Sequence, residues 1–216
     1  MRRNLALSAL ITAAAALSSP AHAYLAVTLT SPGIEYSGSE YTLGFEFSVA
    51  EDTTIVALGA YDSGQDGLNG TAEVGLWDTS GNLLASATVP TGTAGTLVND
   101  FRFASIAPYA LTAGVQYIIG AFEPDDLASS LNTGQGGSGF VDPNVTIYQD
   151  QYSNFNSAFS FPDTSDFNPG GAWLGANFIT ASAVPETSTW AMLALGFAGL
   201  GFAGYRSAKS NISIGA

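Results

Sequence analysis

The chain has 216 residues, with 18 acids against five lysines and arginines, a net charge of −13, one histidine and no cysteine. Such acidity repels nucleic acid and anionic membranes, whose binding needs lysine and arginine to displace counterions. The lack of cysteine excludes disulfides and thiolate chemistry, so stability has to come from apolar burial.

At the N-terminus, Arg2 and Arg3 precede an apolar run over residues 5–17, and Ala21-His22-Ala23 follows Pro20. A positive start, an apolar stretch and an A-x-A cleavage site predict a secretory signal peptide over residues 1–23. Its partners would be the secretion machinery and signal peptidase. Residues 24–183 then form one domain, long enough to bury its own core. Within it Arg102 is the only basic residue, set against seventeen acids, and His, Lys and Cys are absent. That composition excludes a Ser-His-Asp triad, a His-ligated zinc site and a Schiff-base lysine, and leaves carboxylate chemistry.

The domain reads as strands. Leu43, Phe45, Phe47 and Val49 alternate with Gly44, Glu46 and Ser48, a period of two with one apolar face. Further strands are predicted over 54–61, 73–78, 83–89, 101–103, 116–122, 145–148 and 172–181, with a hairpin turn at residues 78–82. Pro108 separates two of them, and residues 124–143 and 150–171 read as loops. Short strands with Gly/Pro turns predict an all-β fold, an antiparallel β-sandwich of jelly-roll-like form. Phe45, Phe47, Leu58, Val74, Leu76, Phe103, Tyr117 and Ile119 are its expected core.

Candidate chemistry lies in the loops. Asp62, Asp66 and Glu73 occupy positions one, five and twelve of an EF-hand-like calcium loop, with Gly67 at six. Gly64 at position three offers no side-chain oxygen, and the flanks are strands, so an ordinary glycine-rich loop stands beside the calcium reading. Asp62-Ser63-Gly64 also fits the short aspartic-protease pattern, which needs a second aspartate; Asp78 is the nearest. Seventeen acids make some glycosidase-like carboxylate pair inevitable, and therefore uninformative. Glu123, Asp125 and Asp126 form another acidic cluster, expected in a solvated loop. Tyr148, Tyr152, Phe155 and Trp173 are candidates for stacking on carbohydrate, against the alternative that they fill the core.

At the C-terminus, nineteen uncharged residues lie between Glu186 and Arg206. That predicts a short transmembrane helix, with Arg206 and Lys209 as its cytoplasmic stop and residues 210–216 as a tail.

Two stretches resemble known families. Val74-Gly75-Leu76-Trp77-Asp78 through Ser86, with Phe101-Arg102-Phe103 and Leu111 through Tyr117, is similar to a bacterial extracellular β-sandwich family of unknown function, over residues 43–122. Its members often accompany carbohydrate-active modules, which implies a binding or structural module. Val184-Pro185-Glu186, a Ser/Thr spacer, the glycine-rich apolar run and the basic end resemble the PEP-CTERM sorting domain of Gram-negative bacteria, over residues 184–209. Thr187 stands where a second proline is common, and the basic cluster is thin. This resemblance implies recognition of Pro185-Glu186 by the membrane peptidase exosortase and removal of the tail. The precursor would be anchored in the inner membrane and the product sent to the cell surface or beyond, in cells that also make exopolysaccharide. The expectation is thus a non-enzymatic envelope or extracellular-matrix protein. A calcium-dependent exopolysaccharide-binding module is the alternative, and a carboxylate-based glycan hydrolase a third reading.

Overall fold

A computed structural model describes residues 24–37, 40–123, 125–155, 157–181 and 196–197. The signal peptide, the sorting residues Val184, Pro185 and Glu186, and all but two residues of the expected membrane helix lie outside the described residues. Among the described residues no helix is long and apolar enough to cross a membrane.

Residues 24–181 form antiparallel sheets. In chain order the strands are β1 Val27–Ser31, β2 Tyr36–Ser37, β3 Leu43–Val49, β4 Thr53–Tyr61, β5 Ala72–Asp78, β6 Leu83–Val89, β7 Thr96–Val98, β8 Phe101–Leu111, β9 Gln116–Phe122, β10 Leu127–Leu131, β11 Ser138–Val141, β12 Val145–Tyr152, β13 Ala172–Leu174 and β14 Ala176–Thr180. A five-stranded sheet has the order β12-β3-β9-β5-β6, and a four-stranded sheet the order β14-β4-β8-β7. Smaller sheets, β13-β10-β2 and β1-β11, complete the domain. The fold is all-β and antiparallel, as the alternation predicts. The two larger sheets share one core in sandwich-like fashion, with Phe47 of β3 5.0 Å from Phe178 of β14, centroid to centroid. All eight expected core residues are buried in that cluster.

Three expectations about elements are corrected. The stretch 124–143 is not all loop, since it contains β10 and β11. The sequence of β10, Leu-Ala-Ser-Ser-Leu, does not alternate, because Ser129 and Ser130 are buried along with Ala128 and Leu131. Pro108 does not end a strand: β8 runs through it. Tyr109 pairs Ile55 while Ser105 pairs Ala57, so residues 106–108 bulge opposite Val56 alone, a place where a missing N–H costs little. The stretch 172–181 breaks at Gly175 into strands of different sheets, and the Gly175 carbonyl accepts the Tyr61 N–H instead. β1 is not among the expected strands, although Val27 and Leu29 alternate with Thr28 and Thr30 and face the core; side chains also dock it. The Asn99 and Asn177 amides bond the backbone of Leu29 and Val27, each accepting the N–H and donating to the carbonyl.

One buried ion pair lies beside the core. Arg102 of β8 donates from Nε to Asp62 Oδ2 at 2.6 Å, with both side chains shielded from solvent. Its other nitrogens donate to the carbonyls of Gly95 and Gln65. Asp62 Oδ1 accepts the Gly67 N–H at 3.1 Å. Taking two charges from water is costly, but removing one partner is worse, because the other stays buried and uncompensated. Arg102→Met should therefore destabilise the domain by about 3–5 kcal/mol, and Asp62→Leu/Arg102→Met by clearly less than the sum of the single changes. Urea unfolding of the three variants checks this. A single-variant loss below about 1 kcal/mol would remove the pair from its structural role.

Candidate functional site: an aromatic cleft beside an acidic wall

The site begins with missing side chains. Gly44, Gly120 and Gly75 stand in one row across β3, β9 and β5. A loop, residues 153–171, packs against this row. A Cβ at Gly120 would meet Pro162 at 3.2 Å, and one at Gly75 would strike the rings of Trp77 and Phe159. Trp77 in turn packs on Phe159 and Phe161, with centroids 5.3 and 6.1 Å apart.

The loop returns along β12, where Tyr152 and Thr164 exchange backbone hydrogen bonds. Asp150, fully buried, fixes this leg. Its Oδ1 accepts from the Ser165 hydroxyl and the Asp166 N–H, and its Oδ2 accepts from the Asn168 amide at 2.6 Å. Asp166 is thereby set beside Tyr152. Partial desolvation, with the Asp166 charge adding to it, pushes the Tyr152 phenol up.

The small sheet supplies the opposite wall. Tyr36 pairs Ala128 and Trp173 pairs Ser130, so the two aromatics flank β10. Their rings meet edge to face at 5.1 Å. Tyr41, just before β3, meets Tyr152 at 6.1 Å and Phe155 at 5.6 Å. Tyr36, Tyr41, Tyr152 and Trp173, with Leu43, Ser37 and Asp166, line an open cleft of about 290 Å³.

Of the residues expected to meet carbohydrate, Tyr152 and Trp173 line this cleft. Phe155 packs on Tyr41 and is 63% exposed. Tyr148 is elsewhere: it sits at a bulge in β12, roughly 13 Å along the strand, with its hydroxyl hydrogen-bonded to that of Ser48. Sequence reasoning missed Tyr36, Tyr41 and Asp166. Tyr36 belongs to a two-residue strand with no periodicity to read.

The expected calcium ligands do not converge. Asp62 is bound to Arg102, Asp66 is exposed at the end of a 3-10 turn, and Glu73 is exposed on β5. Among the described residues no group of three or more His, Cys, Asp or Glu side chains is placed to hold a metal ion. Asp78 takes up its hairpin turn: the Asn82 side chain, helped by the backbone N–H groups of Asn82 and Ser80, holds its carboxyl below the ordinary value.

The cluster expected to be solvated is largely buried. Glu123 is 2% exposed and Asp126 8%. Glu123 Oε1 shares the Tyr61 N–H with the Gly175 carbonyl, and its Oε2 has no partner among the described residues. Burial, then the charge of Asp126, pushes Glu123 well above the ordinary carboxylate range. Burial likewise raises Asp126, although the backbone N–H groups of Asn69 and Leu127 partly offset this. A second pocket, of about 570 Å³, opens between Ser37, Ser63, Asp66, Asn69, Asp125 and Asp126. Glu35 ties β2 to this wall, accepting from the Tyr61 hydroxyl at 2.6 Å and the Ser63 hydroxyl at 2.7 Å.

These features define an all-β domain of antiparallel sheets with a surface cleft lined by aromatic rings, a serine and a carboxylate. The chain belongs to the family described as "Domain of unknown function (DUF4082)", which matches residues 29–179 and so spans nearly the whole strand array. A comparison with curated proteins finds no match.

Glu123 makes stability depend on pH with a definite sign. A carboxyl whose folded pKa is raised binds its proton more tightly in the folded state. Its contribution is fully favourable below its ordinary value of 4.5 and declines as pH rises from there toward the folded value. Glu123→Gln keeps the acceptor for Tyr61 and abolishes the titration. The melting temperature of the variant relative to the native protein should therefore climb from pH 4 to pH 8. An offset independent of pH would assign the titration to another group.

Proposed function

We propose that the protein is an exported, carbohydrate-binding component of the cell envelope or extracellular matrix, with the aromatic cleft as its binding site. The observation that carries this reading is the convergence of Tyr36, Tyr41, Tyr152 and Trp173 around Asp166 in one open cleft. Sugar rings present apolar C–H faces to aromatic rings, while phenol, indole and carboxylate edges meet hydroxyls. At about 290 Å³ the cleft lies at the small end of ligand sites and suits one or two sugar units of a longer chain. It holds one carboxylate, Asp166, where glycoside hydrolysis ordinarily uses two, which favours binding over cleavage.

The route outward rests on sequence. Residues 1–23 act as the signal peptide. Residues 184–209 act as a PEP-CTERM-like signal that inserts a transmembrane helix and delivers Pro185-Glu186 to exosortase. The domain between them is a jelly-roll-like sandwich that retains exopolysaccharide. Because Asp62 is engaged by Arg102, retention is expected to survive a chelator.

Co-sedimentation of the mature protein with exopolysaccharide from its own source tests the binding reading. Trp173→Ala and Tyr152→Ala should each weaken retention at least tenfold, about 1.4 kcal/mol, while Tyr148→Ala leaves it unchanged. Equal retention of all three variants would reject the cleft. Separately, changing Pro185 and Glu186 to Ala should leave the tail attached in the exported product, and an unaltered mature mass would reject the sorting route.

A further inference from the structure

The aromatic cleft and the acidic pocket share Ser37, so they form one continuous surface on either side of β2. The pocket's charge is unopposed. Arg102 is the only basic residue between positions 24 and 183, and it is buried against Asp62. Asp66 and Asp125 are exposed in the pocket, and Asp126 lies between them and the interior. Glu123 lines a recess that Asp125 and Asp126 also line, and it is buried. Among the described residues no donor side chain reaches its Oε2.

From this juxtaposition we infer that the ligand is an amine-bearing glycan, a polymer of de-N-acetylated hexosamine. Its sugar rings stack in the cleft and its protonated amines enter the acidic pocket. The inference rests on the carbohydrate reading above and narrows the substrate class. An ammonium group offers three donors and needs only one or two carboxylates with neighbouring hydroxyls. A metal ion needs several ligands gathered closely, which the described residues do not provide. A uronic-acid polymer would bring like charge against Asp66, Asp125 and Asp166 with no exposed cation in the domain to receive it.

Calorimetric titration of the mature protein with glucosamine, N-acetylglucosamine and galacturonate oligomers of equal length tests this. It is best run near pH 5.5, where the glucosamine amines are protonated. The glucosamine oligomer should bind at least about tenfold more tightly than the acetylated one, and raising salt from 0.05 to 0.5 M should erase most of the difference. Asp66→Asn/Asp125→Asn, at two exposed positions, should remove the preference and leave acetylated-oligomer binding intact. Trp173→Ala should weaken both. Equal affinity for the two oligomers would overturn the amine inference and leave the cleft reading standing. A preference that survives the double substitution would overturn the pocket assignment. Binding of none of the three would overturn both readings.

Discussion

Arg102 is the only basic side chain between residues 24 and 183, and it is buried. Its guanidinium reaches Asp62, the Gln65 carbonyl and the Gly95 carbonyl at once, joining the end of β4 to the turn before β7. Asp62 then holds the Gly67 N–H. The chain runs on to Asn69, whose N–H bonds Asp126, so the acidic wall is fixed from the same ion pair. A planar donor fork that cannot lose its proton suits this task, since each nitrogen finds an acceptor without water. An acidic domain would ordinarily leave its one cation in solvent. Here the surface of residues 24–183 has no cation at all, so no positive side chain offsets the negative charge of the pocket.

The cleft depends on a second constraint, the row of Gly44, Gly120 and Gly75. Most strands of a sandwich bury one face. β3 and β9 are buried on nearly every residue, because the loop after β12 covers the outer side. The loop can come so close only where no Cβ stands in the way, as the contacts at Gly75 and Gly120 show. Its buried anchor, Asp150, then sets Asp166 against Tyr152. Backbone economy in the sheet and side-chain placement in the cleft are thus one piece of geometry.

This explains what could be read from the sequence. The two large sheets were legible because Phe45, Phe47, Val74, Leu76 and Ile119 alternate with residues on the other face, and local alternation is what a strand imposes on sequence. The small sheet β13-β10-β2, which carries Tyr36 and Trp173, was not. Its pairings join Ser37 to Leu127 and Ser130 to Trp173, over strands of two to five residues. No local pattern encodes so distant a pairing. Tyr152 and Trp173 could be picked out by composition, but Tyr148, equally aromatic and on the same strand, could not be told apart without the bulge that turns it away. The burial of Glu123 was invisible for a similar reason: an acid after a strand reads as solvated until the Tyr61 backbone is found beside it.

Two of the places where this fold departs from local rules adjoin the two pockets. Phe167, next to Asp166, has φ of 58° while 79% exposed, so an aromatic ring is displayed from a backbone conformation that favours glycine, with the Ser165 hydroxyl bonding its N–H. Glu123 keeps a buried oxygen with no partner among the described residues. Both features oppose stability, and neither is needed to close the sandwich, whose core is apolar and continuous. Local conflict that persists in an otherwise consistent fold is expected where binding, not packing, sets the residue. The strained phenylalanine lies beside the aromatic cleft and the unsatisfied carboxyl behind the acidic pocket. These two departures fit the proposed bipartite site, one half working by stacking and the other by charge.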